Sequence, residues 1–231
     1  PKKCLLNHTA KKEGWSKERF LASAAKIEGV YVPSLYEISY QEDGTVGAIT
    51  PKSGAPEKVT KRIVRDLDAA PFPVNPIVPS TEVVQDRVNL ELFRGCIRGC
   101  RFCQAGHIYR PIRAKRAETL IRQGLETLKN TGYEELTLLS LSSSDYRHLA
   151  EVIDGLLEYC EERSISISLP SLRADNFSME LMDKLQRVRK SGLTFAVEGG
   201  SQRLRDAINK NVTEEDLLNT CRIAFEGGWK A

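Results

Sequence analysis

The sequence predicts an α/β fold: a partial (β/α) barrel of the TIM type, preceded by a small N-terminal α/β extension. Three observations predict it. Apolar strand candidates alternate with amphipathic helices through the second part of the chain, at the interval of about 30 residues expected of right-handed βαβ units. A short helix and a hairpin come before that alternation, set apart from it by a proline-rich stretch. Three cysteines crowd into eight residues directly after the first strand of the alternation, at the C-terminal strand ends where barrels build their sites.

Residues 1–86 read as a lead-in. Ser16 to Ile27 predicts a short helix with Phe20, Leu21, Ala24 and Ala25 on one side. Leu35–Tyr40 and Val46–Thr50 flank Glu42-Asp43-Gly44 and predict a hairpin. Lys58–Leu67 fits either a third strand or a helix. Residues 71–80 hold four prolines and predict an extended connector.

Residues 87–231 carry the alternation. Strands are predicted at Val88–Phe93, Leu136–Leu141, Ile165–Leu169 and Leu193–Val197. Between them, Leu120, Ile121, Leu125 and Leu128 share one helical face. Leu149, Val152, Ile153, Leu156 and Leu157 share another, and Leu181, Met182, Leu185 and Val188 a third. A last helix carries Leu217, Leu218, Cys221, Ala224 and Phe225, with Thr213 and Asp216 in a capping-box pattern. Gly227-Gly228 predicts its stop, after which Trp229-Lys230-Ala231 would enter a fifth strand. On this reading the barrel is cut before its last strands and the chain is a fragment of a longer protein.

The 231 residues are 41% hydrophobic and 28% charged, ordinary values for a globular domain. No apolar run approaches the roughly 20 residues of a membrane helix, and a net charge of +3 is too small to argue for nucleic acid by itself. Of six cysteines, Cys4, Cys160 and Cys221 are scattered and three are clustered. Clustered cysteines without a secretion signal read as a metal or redox site of a reducing cytoplasm.

Cys96, Cys100 and Cys103 follow a Cys-x3-Cys-x2-Cys spacing. Thiolates bind iron–sulfur clusters, usually four to a cubane. Three close cysteines without a fourth at matching spacing would leave one iron open to a ligand. Zinc would ask for a fourth donor, His107 or Cys4. A dithiol made of Cys100 and Cys103 leaves Cys96 unexplained.

The segment Arg94-Gly95-Cys96-Ile97-Arg98-Gly99-Cys100-Arg101-Phe102-Cys103-Gln104-Ala105-Gly106 resembles the cysteine loop of the radical S-adenosylmethionine (SAM) superfamily, including the aromatic Phe102 before the third cysteine. Further stretches resemble a subgroup that pairs this core with an N-terminal cobalamin-binding domain. They are Tyr109-Arg110-Pro111, Ser140-Leu141-Ser142, Ser168-Leu169-Pro170-Ser171-Leu172-Arg173, Glu198-Gly199-Gly200, Arg203-Leu204-Arg205, Ile208-Asn209-Lys210 and, in the lead-in, Gly29-Val30-Tyr31-Val32-Pro33-Ser34-Leu35-Tyr36. The resemblance implies a [4Fe-4S] cluster on Cys96, Cys100 and Cys103, with SAM chelated at the open iron. It implies that one electron from the cluster cleaves SAM to methionine and a 5′-deoxyadenosyl radical, or that the core serves methyl or methylthio transfer on an unknown substrate. A reductant such as flavodoxin or ferredoxin would be the partner. Cobalamin is implied for a full-length parent and not for this chain, whose three histidines lack the loop that binds it.

The resemblance also places SAM contacts at successive strand ends. Where the superfamily often has Gly-Gly-Glu after the second strand, this chain has serines. Ser140 and Ser142 could accept from the SAM amino group, or the serine loop could cap the next helix. Ser171 and Arg173 follow the third strand, and a guanidinium fork suits a carboxylate; the plainer reading pairs Arg173 with Asp175. Glu198 follows the fourth, to meet the SAM ribose or amino group, or else to pair with Arg203 or Arg173. Arg203 is the rival partner for the SAM carboxylate. Phe102 completes the set.

Two other classes of function compete: an iron–sulfur electron carrier or sensor, favoured by a fourth ligand, and a zinc-bearing interaction module. For the latter, the basic run Arg110, Arg113, Lys115 and Arg116 would meet RNA, against the plainer reading as a solvated loop. His107 is expected near the loop, His148 exposed at a helix start, and Cys160 and Cys221 as core thiols.

Overall fold

The computed structural model describes residues 2–52, 54–176, 179–189 and 192–230. By packing, the chain divides into two units, Pro1–Val64 and Arg65–Ala231.

The first unit opens with helix α1 (Lys2–Lys12). Its polar sequence gives little periodic signal; Leu6 packs partly against the unit's core and Ala10 is buried. Helix α2 (Lys17–Ala25) starts where expected, because the Ser16 side chain accepts from the Arg19 N–H at 3.2 Å. It buries Ala24 and Ala25 against Val32. Strands β1 (Tyr36–Tyr40) and β2 (Val46–Pro51) form the predicted antiparallel hairpin, with Ile38 opposite Ile49. Residues 58–67, expected as a strand or a helix, form neither. They run irregularly, and Thr60 and Arg62 pass within about 3.5 Å of where a side chain at Gly29 would begin.

The second unit starts at Arg65, ahead of the proline-rich connector, rather than at the predicted boundary of 86/87. Leu67 is 2% exposed, Asp68 pairs with Arg116, and Phe72 packs on the core. The four-proline stretch is irregular, as predicted.

The alternation then unfolds as β3 (Val88–Glu91), β4 (Phe93–Arg94), α3 (Gln104–Ile108), β5 (Arg113–Ala114), α4 (Ala117–Thr131), β6 (Glu135–Leu139), α5 (Leu149–Glu162), β7 (Ser166–Ser168), α6 (Met179–Gln186), α7 (Gln202–Ala207) and α8 (Glu214–Glu226). Strands β3, β6 and β7 lie side by side and parallel, Val88 opposite Leu136 and Thr137 opposite Ser168. Leu90, Leu136, Leu138 and Ile167 pack with Leu120, Ile153 and Leu156 of α4 and α5, each at most 2% exposed. Gly132 ends α4 in the left-handed region (φ 70°). Thr213 and Asp216 form the predicted capping box of α8.

Two predicted strands differ. Leu193–Val197 makes no ladder among the described residues; it contributes a single parallel bridge, Leu172 to Phe195. Trp229 does not enter a fifth strand: it is buried against Met182 and Ala224. The described sheet is thus a three-strand arc with a fourth position begun, and no closed barrel.

Candidate metal centre

Strand β3 hands over to the cysteine loop through a backbone switch. Leu92 still pairs with β6, donating to the Leu139 carbonyl at 2.8 Å. Then β4 and β5 pair antiparallel, Phe93 with Ala114 and Arg94 with Arg113. This two-residue ladder closes the base of an excursion over 95–112 that holds all three clustered cysteines. Gly95 (φ 101°) turns the chain at the base, where a methyl group would lie 2.7 Å from the Tyr109 carbonyl oxygen. No side chain can stand there. Cys103 precedes the short helix α3, in which Gly106 is buried.

Cys96, Cys100 and Cys103 are half-buried and carry free thiols. Among the described residues, no three His, Cys, Asp or Glu side chains meet closely enough to hold a single metal ion. A tetrahedral ion needs its donors at one point. A cubane cluster takes one thiolate at each of several separate irons, and three free thiols on one loop are the donor type it uses. Of the rival fourth donors, His107 is exposed on α3 and Cys4 is exposed on α1. Cys160 is fully buried, and burial pushes its thiol up to about 11, as a core thiol requires. Cys221 is half-buried, less enclosed than its helix position suggests.

The loop is held from three directions. Arg98 pairs with Asp145 and with Asp175. The Arg101 N–H donates to the Ile208 carbonyl at 2.9 Å. Asn209 donates to the carbonyls of Gly99 at 3.0 Å and Arg98 at 3.4 Å. Two cavities flank it. One of about 540 Å3 touches Cys96 and Ile97 together with Ser142, Asp145 and Tyr146. The other, about 390 Å3, is bounded by Gly95, Tyr109, Ser140, Glu91 and Arg94. Both lie in the size range of small-molecule sites.

The serine loop does not cap the next helix. His148 precedes α5 without a side-chain cap and pairs with Glu151 at 3.0 Å, exposed as expected. The hydroxyls turn inward instead. Ser140 meets Ser143 at 3.1 Å, Ser142 donates to Asp145 at 2.7 Å, and the Ser144 hydroxyl is buried with no partner among the described residues.

Arg173 pairs with Asp175, but it is 8% exposed rather than a surface arginine. Its fork donates to both carboxylate oxygens at 2.8 and 3.0 Å and to the Lys210 carbonyl at 2.9 Å. Ser171 and Glu198 both sit at positive φ, 64° and 65°, conformations that non-glycine residues hold at a cost of about 1–3 kcal/mol. Glu198 pairs with Lys210 at 3.2 Å rather than with either arginine. Arg203 and Phe102 are exposed. The basic run is divided among separate partners: Arg110 donates to the Gly106 carbonyl, Arg113 to those of Pro111 and Tyr109, Lys115 is buried against Gln123, and Arg116 pairs with Asp68.

Sequence reasoning missed four charged or polar residues here: Glu91, Arg98, Arg205 and Asn209. Glu91 and Arg94 form a two-bond pair at 2.7 and 2.6 Å, and those bonds hold the Glu91 carboxyl below its ordinary range despite burial. A carboxylate inside the apolar run Val88–Phe93 was the available signal. Arg205, 3% exposed, gathers the carbonyls of Val212, Gly199 and Gly200.

Residues 90–231 match the family described as the Radical SAM superfamily. An uncharacterized protein of Methanocaldococcus jannaschii is 37% identical over 140 residues, 60% of this chain and 30% of that protein. A putative methylthiotransferase of the same organism is 23% identical over 150 residues, 62% of this chain and 33% of that protein. The chain spans about a third of the length of these curated relatives. Among the described residues, no helix is long and apolar enough to cross a membrane.

Proposed function

The chain belongs to the radical SAM superfamily, and from that premise we propose that it is the cofactor-cleaving core of an enzyme, with a [4Fe-4S] cluster on Cys96, Cys100 and Cys103. When bound, the cluster and SAM together supply a one-electron cleavage that yields a carbon radical. The observation that supports this most directly is the arrangement of three free thiols on one loop, closed at its base by β4 and β5 and tied to the following strand ends. The thiolates would hold three irons and leave the fourth for a ligand. Of the other described cysteines, Cys160 is sealed in the core with its proton held tightly.

Ser140, Ser142, Ser171, Glu198 and Phe102 are the groups proposed to surround SAM. Since the Arg173 fork is committed to Asp175, Arg203 is the better candidate for the methionine carboxylate. The partner this chemistry needs is a one-electron donor of the flavodoxin or ferredoxin kind. For the whole protein, the proposed outcome is group transfer of the methyl or methylthio class, because one relative is named a putative methylthiotransferase. Cobalamin is proposed for neither of these cavities, and RNA is not part of this proposal.

Anaerobic reconstitution with iron and sulfide tests the reading. A brown chain is expected whose reduced EPR signal changes when SAM is added, with 5′-deoxyadenosine formed. Cys96→Ala, Cys100→Ala and Cys103→Ala should each abolish the signal, while Cys160→Ala keeps it. A chain that takes up zinc in place of iron, or a reduced cluster blind to SAM, overturns the proposal.

A further inference from the structure

Arg98 lies between the first two cysteines of the loop, and its side chain leaves the loop altogether. Its guanidinium grips Asp145 along one edge, Nε donating to Oδ2 at 2.8 Å and Nη2 to Oδ1. Nη1 donates to Oδ2 of Asp175 at 3.1 Å. Asp145 follows β6 and Asp175 follows β7. One side chain therefore ties the loop after the first strand to the ends of the next two.

The acids are themselves held. Ser142 donates to Asp145 at 2.7 Å, and Arg173 donates to both oxygens of Asp175. The result is a charge-neutral row of two arginines and two carboxylates. The side chains are 23% exposed at Arg98, 10% at Asp145 and 15% at Asp175. Charge-assisted two-bond contacts sheltered to this degree fix geometry, which exposed ion pairs do not.

We propose that Arg98 is a positioning residue of the metal centre: held by Asp145 and Asp175, it fixes the path of the loop so that Cys96 and Cys100, two residues to either side, stay at the spacing a cubane cluster requires. This rests on the reading that the cysteines hold such a cluster. Without the grip, the segment would keep the Asn209 side-chain bonds to the Gly99 and Arg98 carbonyls and the two bonds of Arg101, from its N–H to the Ile208 carbonyl and from its guanidinium to that of Ala207. Lysine cannot replace it fully, because a point charge lacks the planar fork that engages two carboxylates at once.

The test compares two ion-paired arginines of the second unit. Arg87 pairs with Glu135 at the opposite end of β3 and β6, away from the loop, so Arg87→Met is the control for losing an ion pair. In the full chain, Arg98→Met and Arg98→Met/Asp145→Asn are reconstituted beside wild type and Arg87→Met. Iron and sulfide per chain, the rate of cluster loss to a chelator and the melting of the apo chain are measured. Wild type and Arg87→Met should load alike. Both Arg98 variants should lose the cluster about tenfold faster, the scale of lost outer-shell support, at an apo melting temperature no lower than that of Arg87→Met, with Arg98→Lys between. The double variant leaves no uncompensated carboxylate, so the same result there excludes a buried stray charge as the cause. Equal loss rates in Arg98→Met and wild type overturn the proposal, as does parallel loss in Arg87→Met. If both Arg98 variants melt the apo chain, the residue holds the fold rather than the loop, and the proposal falls. A wild-type chain that never loads iron overturns the functional reading instead.

Discussion

Tyr146 is 5% exposed, stacks its ring on Phe93 at 6.3 Å and donates its hydroxyl to the Lys115 carbonyl at 2.7 Å. Burial, reinforced by the charges of Glu151, Asp68 and Glu118, pushes its phenol up to about 12. The folded value lies above the unfolded one near 10. Its contribution is therefore complete below pH about 10 and is lost as pH rises from there to the folded value. The gap between the two values corresponds to about 2–3 kcal/mol. Tyr146→Phe has no proton to lose, and it forgoes a hydrogen bond worth about 1 kcal/mol. Denaturant unfolding should find wild type more stable by that amount at pH 7, equal near pH 11, and weaker above it. A constant difference across this range would refute the burial argument.

Residues differed sharply in how legible they were. The three cysteines announce themselves by spacing, and Gly95 by its place beside them. Arg98 does not, although it lies in the same loop. Its partners stand 47 and 77 residues away, and nothing local distinguishes an arginine that reaches acids from one that reaches water. Arg173 was legible as a choice between two partners: its fork suits a ligand carboxylate or the nearby Asp175, and Asp175 took it.

At the scale of elements, two glycines decide how closely α4 and α5 approach. A methyl group at Gly124 would lie 2.9 Å from both Leu156 and Leu90 and 3.4 Å from Leu136, all three fully buried. At Gly155 its three nearest neighbours would all be atoms of Ile121, the closest the chain-end Cδ1 at 2.4 Å, and Ile121 is half-buried. Alanine gains up to about 1 kcal/mol of helix propensity at either site. Overpacking a core costs about 1–3 kcal/mol, and only Gly124 is walled in. Gly124→Ala should thus destabilise by about 1–2 kcal/mol and Gly155→Ala should be within about 0.5 kcal/mol of wild type in the same measurement. Equal effects would show that the leucine wall gives way.

Helices α2, α4, α5 and α8 were legible because their apolar stripes, and in α2 and α8 their side-chain caps, are local. Helix α1 was not, since its polar sequence has no stripe. The fourth strand failed for the opposite reason. Residues 192–199 alternate exposed and half-buried, the period of a strand, yet they pair only at Phe195. Strand identity depends on a neighbour, and the pattern does not say whether one is present.

For the whole molecule, the division of packing at Val64 and Arg65 makes a claim that the cysteine loop cannot. The sequence suggested a boundary at 86/87, where the regular alternation begins. The second unit instead recruits the irregular stretch before it. Leu67 is buried to 2% exposure, Phe72 lies on the main core with the Lys115 ammonium 4.6 Å from its ring, and Asn130 donates to the Val74 carbonyl at 2.9 Å. Asp68 accepts from both the backbone and the side chain of Arg116, at the start of α4. Burying Leu67 and Phe72 stabilises by about 1.5–3 kcal/mol each at most, and ordering the connector opposes it, leaving a net of roughly 1–3 kcal/mol. The first unit, whose buried cluster is Ala24, Ala25 and Val32, adds little core of its own. A chain of residues 65–231 should therefore keep the main thermal transition of the full chain. One of residues 87–231 should melt several degrees lower, at about 2–4 °C per kcal/mol for a domain of this size. Equal melting of the two truncations would show that the connector merely lies against the core, and would return the boundary to 86/87.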